Sequence, residues 1–223
     1  MSSDIIEPKQ LQVRITLAEE NLIEQLDGFF SRVLNIISEI DEMFGDVFQG
    51  RLEVLRTRIV KTLGVNRDLR NVYRSILEYA SRVAPALVSS IHYFNVLSSS
   101  SEFLESTHRL CMHLSLLQTP LKMDEDVVIF VQKTLNLLID GVNRLRNALK
   151  IYIEVPVKMG EALSEILKAI QNLRTYYDES YTRVIKGGID MVSIAIMDDI
   201  DNIINSFIRI YEALSCLHAV KRS

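Results

Sequence analysis

From Leu22 onward, apolar side chains return every three or four residues: Leu22, Ile23, Leu26, Phe29, Phe30, Val33, Leu34, Ile36, Ile37, Ile40, Phe44 and Val47. That spacing places them on one face of an α-helix. The pattern resumes at Leu69 and runs through Val72, Ile76, Ala80, Val83, Leu87, Ile91, Phe94 and Leu97, passing Pro85, where a kink is expected. It returns from Val127 to Leu149, from Ala162 to Ile185, and again at Ile196, Ile200, Ile203, Phe207, Ile210, Tyr211, Leu214 and Leu217.

The breakers between these runs set the expected helix ends. Gly45 separates the first run from the second, and Gly64 suits a left-handed C-terminal cap, as do Gly187 and Gly188. The serines at 98–101 close a helix, "QTPLKMDED" reads as a loop, and Pro156 fits the first turn of a new helix. The pattern predicts helices near 9–43, 46–63, 68–97, 102–117, 124–153, 157–186 and 190–219. With eight glycines and four prolines in 223 residues, the chain lacks the turn chemistry of an all-β or α/β protein.

A short internal echo suggests how these helices are grouped. "TRIVK" at Thr57 to Lys61 reappears as "TRVIK" at Thr182 to Lys186, each followed by glycine and a long amphipathic run. With a five-residue gap, Ile76 falls on Ile196, Val83 on Ile203, Leu87 on Phe207 and Leu97 on Leu217. The reading is an all-α fold of two tandem three-helix bundles lying side by side, six to seven helices in all, with units at 1–98 and 99–223.

Composition and charge exclude several function classes. A formal net charge of −4 and the lack of a basic run leave no landing strip for nucleic acid. The start "MSSDIIEPKQ" has no signal-peptide pattern, and no stretch reaches the uncharged length of about 18 residues of a membrane helix. A cytoplasmic protein that does not span a membrane is expected. Cys111 and Cys216 stand in no CxxC arrangement and read as free, buried thiols.

Four segments carry a family resemblance: "YYDESYTRVIK" from Tyr176, "IMDDIDNIINSFIRIYEALSCLHAVK" to Lys221, "FQGRLEVLRTRIVKTL" and "SILEYASRVAPALV". A central helix ending D-x-x-Y-x-x-x-I and a last helix closing on L-x-x-x-K resemble the PhoU-like phosphate transport regulators. The resemblance is to the branch commonly encoded beside low-affinity phosphate transporters. It implies a non-enzymatic regulator that binds a membrane phosphate transporter or a signalling protein, peripheral to the membrane through that partner. In that family, acidic pairs four residues apart on two helices hold an iron or zinc cluster, since residues at that spacing share a helix face.

Laid on this sequence, those pairs are Gln49 with Glu53, Glu78 with Arg82, Arg174 with Asp178, and Asp198 with Asn202. Each has lost one carboxylate, so these are degenerate positions and no metal or other cofactor is expected; iron or zinc would require a different alignment of the acidic pairs. Arginine cannot ligate a metal. One reading is that Arg82 and Arg174 neutralise Glu53, Glu78 and Asp178 in place of metal; the other is that all are solvated helix-face charges.

Other constellations are weaker. "ESTHRLCMH" sets Glu105, His108 and Cys111 or Met112 on adjoining turns, a start for a zinc or copper site that lacks a fourth ligand. "IMDDID" reads as a solvated acidic face, and Tyr176, Tyr177 and Tyr181 as core and rim. His92, His108, His113 and His218 show no evident carboxylate partner for general-base work. No phosphate-loop, nucleophile-elbow or HExxH motif is present, nor the pair of Glu-x-x-His motifs of di-iron bundles. An enzyme is not expected. The remaining readings are a helical bundle with an unrelated partner and a metal-binding helical carboxylate protein; self-association through an apolar face is a further expectation.

Overall fold

The computed structural model describes residues 15–116, 125–186 and 190–222. Six long helices account for nearly all of them: α1 (Leu17–Phe48), α2 (Leu52–Val83), α3 (Ser90–Ser115), α4 (Glu125–Glu154), α5 (Met159–Lys186) and α6 (Met191–Arg222). Short 3-10 turns at Ala84–Ala86 and Pro156–Lys158 join α2 to α3 and α4 to α5.

α1 starts at a reciprocal cap. The Thr16 hydroxyl accepts the Glu19 N–H, and the Glu19 carboxylate accepts the Thr16 N–H, so two orphan donors are satisfied. The helix passes through Gly45 and ends at Gln49 and Gly50, whose φ of +68° places it in the left-handed region that glycine enters without a steric cost. The expected break at Gly45 is therefore moved by five residues.

Three further breakers act differently from the expectation. Gly64 does not end a helix: α2 runs straight through it, because Leu55, Ile59, Thr62, Asn66 and Leu69 on either side are buried. An exposed mid-helix glycine costs only about 1 kcal/mol, which such burial outweighs. Pro85 does not kink a continuous helix but ends α2, and Ser89 with φ 59° turns the chain into α3. The restart shifts the buried face, so Ile91 is 64% exposed while Tyr93, Val96 and Leu97 are buried. The four serines lie inside α3; the Ser100 hydroxyl donates to the Val96 carbonyl and needs no water. Gly187, Gly188 and most of "QTPLKMDED" lie outside the described residues.

α1, α3, α4 and α6 form the centre, with α1 against α4 and α3 against α6; α3–α6 is the most extensive pairing. α2 lies outside on α1 and α3, and α5 correspondingly on α4 and α6. One continuous apolar core joins all six. α3 passes without interruption through residues 98 and 99, so the first three helices extend to Ser115. The pentapeptides do not mark equivalent places: Thr57–Lys61 lies near the start of α2, whereas Thr182–Lys186 closes α5. The register that set Ile76 on Ile196 likewise matches α2 with α6, since any two amphipathic helices can be slid into phase.

Candidate functional site

The degenerate acidic positions fall into three places. Gln49, at the C-terminal end of α1, and Glu53 are exposed, and Glu53 is bridged by Arg56 at 2.8 Å, not by Arg82 or Arg174. Glu78 and Arg82 are exposed near the other end of α2; Arg82 has no ion-pair partner among the described residues. Glu53 and Glu78 share one helix and are 25 residues apart, about 37 Å at 1.5 Å per residue, so they cannot meet at one ion.

Of the positions on α5 and α6, Arg174 and Asp178 meet each other, and the α6 partner of Arg174 is Asp201. Arg174 on α5 reaches Asp178 one turn on, Nε to Oδ1 at 3.2 Å, and crosses to Asp201 on α6. Its guanidinium also lies 5.6 Å from the Tyr177 ring centroid, and the buried Tyr177 hydroxyl donates to the Met197 carbonyl at 2.8 Å. Asn205 Nδ2 donates to the other oxygen of Asp201. Asp198 and Asn202 are exposed, and the Asn202 amide donates to the Asp198 carbonyl rather than to a shared ligand. A fixed cation thus fills the space between Asp178 and Asp201, so these residues do not fit a metal ion there.

The same device recurs at acids that sequence reasoning passed over. Asp46, fully buried at the end of α1, is held by Arg51 at 2.6 Å and Arg58 at 3.0 Å. Arg58 also holds Glu39, whose carboxyl is kept below its usual range chiefly by that hydrogen bond, with Lys61 assisting against a desolvation cost. On the α3–α6 face, Asp199 is 3% exposed; Arg109 Nε lies 3.2 Å from one of its oxygens and His113 Nδ1 2.5 Å from the other. The acidic "IMDDID" is therefore only partly a solvated face, and His113 does have a carboxylate partner. The signal was available: Asp199 is three residues after Ile196 and four before Ile203, both buried.

"ESTHRLCMH" does not converge on a ligand set. Glu105 is bridged to Arg70 at 2.7 Å, Met112 is exposed, and Cys111 is fully buried with its thiol pushed up to about 12 by burial and then by Asp199. Cys216, expected inside, is exposed. Tyr177 is core and Tyr176 and Tyr181 are half-buried rim. Among the described residues, no group of three or more His, Cys, Asp or Glu side chains could hold a metal ion, and no helix is long and apolar enough to cross a membrane.

A solved structure with this arrangement of helices is that of a protein from Shewanella oneidensis MR-1, described as a PhoU-like phosphate regulatory protein. The two superpose with a TM-score of 0.70 over 89% of this chain and 99% of that one, at 10% sequence identity. The fold is PhoU-like. No protein-family model matches the sequence, and a search of curated proteins gives no match. The two share the all-helical PhoU-like architecture at 10% sequence identity.

Proposed function

We propose that this chain is a non-enzymatic regulator of phosphate transport that acts as an adaptor, binding a membrane phosphate transporter or its signalling partner through an exposed helical surface. The observation that carries the reading is the PhoU-like fold matched along almost the whole of both chains. The arginine-held acids support an adaptor that works without the metal cluster: Arg174 between Asp178 and Asp201, and Arg51 with Arg58 on Asp46. On this reading the protein is cytoplasmic and reaches the membrane only through its partner, and Gln49, Glu53, Glu78, Arg82, Asp198 and Asn202 serve as surface.

The test pairs a deletion strain with capture. Removal of the gene is expected to change phosphate uptake, and the tagged protein is expected to retain a phosphate transporter through detergent extraction. Unchanged uptake at both high and low phosphate, with no transporter retained, overturns the assignment and leaves a PhoU-like bundle with another partner.

A further inference from the structure

The two outer helices occupy corresponding places, α2 on α1 and α3, α5 on α4 and α6, yet their charges differ. α2 carries seven Lys and Arg against three Asp and Glu, whereas α5 carries four of each. The whole chain has the opposite balance, 25 basic residues against 29 acidic ones, so the excess of cations is local to α2.

Four of the seven are occupied: Arg56 with Glu53, Arg58 and Lys61 with Glu39, and Arg70 with Glu105. Arg67, Arg74 and Arg82 are exposed and have no ion-pair partner among the described residues. Spaced by seven and then eight residues, about 10 Å and about 12 Å apart, they share the outward side of the helix, Arg67 and Arg74 nearly in line and Arg82 turned by about 80° from Arg74. Glu78 lies on this side between Arg74 and Arg82, and the exposed Asp68 follows Arg67 about 100° around the helix.

We infer that the outward face of α2 is a docking surface for an acidic segment of a partner protein, engaged by Arg67, Arg74 and Arg82. The planar guanidinium fork pairs with a carboxylate through two parallel hydrogen bonds, and carboxylates seven and then eight residues apart share one broad face of an incoming helix, as these arginines do on α2. A lipid surface fits less well. A helix that lies on a bilayer buries an apolar face, whereas Val60 is the one large apolar side chain of α2 in line with these arginines, and the chain's net charge of −4 opposes approach to anionic lipid. The inference rests on the adaptor reading for its biological direction, but the two fail separately: the first by binding in solution, the second by phosphate uptake.

The experiment uses the full chain and a labelled synthetic helical peptide with glutamates at the seven- and eight-residue spacing, beside a scrambled peptide of the same composition. Anisotropy is expected to show binding that weakens with added salt and prefers the spaced peptide. Arg67→Glu/Arg74→Glu/Arg82→Glu is expected to weaken it by roughly tenfold or more, and the milder triple change to Gln to weaken it in the same direction should charge reversal impair folding. Lys168→Glu/Arg183→Glu/Lys186→Glu on α5 is expected to leave it within about twofold. No binding, equal binding of the scrambled peptide, or equal loss from the α5 variant overturns the inference. So does tighter binding to vesicles of phosphatidylglycerol than to the peptide.

Discussion

Lys221 Nζ lies 2.8 Å from Glu19 Oε2, joining the last turn of α6 to the first turn of α1 across 202 residues. Both side chains are buried, at 4% and 0% exposure, and the ammonium also lies 5.1 Å from the centroid of the Tyr152 ring. The Tyr93 hydroxyl is within hydrogen-bond distance of both Glu19 Oε1 and the Tyr152 hydroxyl, so α1, α3, α4 and α6 meet at one polar knot in an apolar core. Removing one charge leaves the other buried and unpaired, which costs about 3–5 kcal/mol. Lys221→Met and Glu19→Gln are each expected to lower unfolding stability by about 3 kcal/mol in denaturant titrations. The double variant is expected to be more stable than either single one, because no uncompensated charge remains.

Two glycines in helices are expected to respond oppositely to alanine. A Cβ on Gly141 of α4 would come within 2.8 Å of the buried Phe207 ring of α6, whereas one on Gly64 of α2 meets nothing within 4 Å. Overpacking of a core costs about 1–3 kcal/mol, while alanine gains about 1 kcal/mol over glycine in a helix. Gly141→Ala should therefore lower the melting temperature and Gly64→Ala raise it. A stabilising Gly141→Ala would show that α4 and α6 are further apart than described.

His108 gives an acid-side pH dependence. Burial, then the nearby Arg70 charge, holds its pKa below the ordinary 6.5 against the weaker opposing pull of Glu105, and its Nδ1 is buried without a hydrogen-bond partner among the described residues. The folded state thus binds this proton less readily than the unfolded one. Its contribution is fully present above pH 6.5 and is lost as pH falls through the lowered value. Stability should fall as pH is lowered from 7 towards 5, and His108→Gln should flatten that part of the profile.

Arg174 separates the neutralised site from a metal site. The side chain is 39% exposed, so Arg174→Gln is expected to cost about 1 kcal/mol or less. Elemental analysis of the wild-type protein after incubation with iron(II) or zinc should find less than one metal per chain. Two or more per chain, lost in Glu53→Ala/Asp178→Ala, would mean that the acidic pairs still bind metal and that the arginines are bystanders.

The period of three and four in the apolar residues by itself determined the helices and their inward faces, because burying one stripe of a helix is a local requirement written along the chain. Ile196, Ile200, Ile203 and Phe207 follow it and are all buried. Where helices stop was not written so locally. Gly64 and the serines at 98–101 have breaker chemistry, yet burial of the residues around them in α2 and α3 outweighs a propensity cost of about 1 kcal/mol per residue. Pro85, which lacks an N–H, ends α2 where a kink is expected, and the chain turns after α1 at Gly50, with φ +68°, not at Gly45. The site divides in the same way. The sequence shows one carboxylate in each of the four pairs that the resemblance lays on it, and arginine at 82 and 174. Only the tertiary structure decides that Arg174 reaches Asp201, that Asp199 turns inward to Arg109 and His113, and that Lys221 returns to Glu19. Those partners lie 27 to 202 residues apart, and a charge pair between helices is set by how the helices cross, a distance that no spacing within one helix encodes.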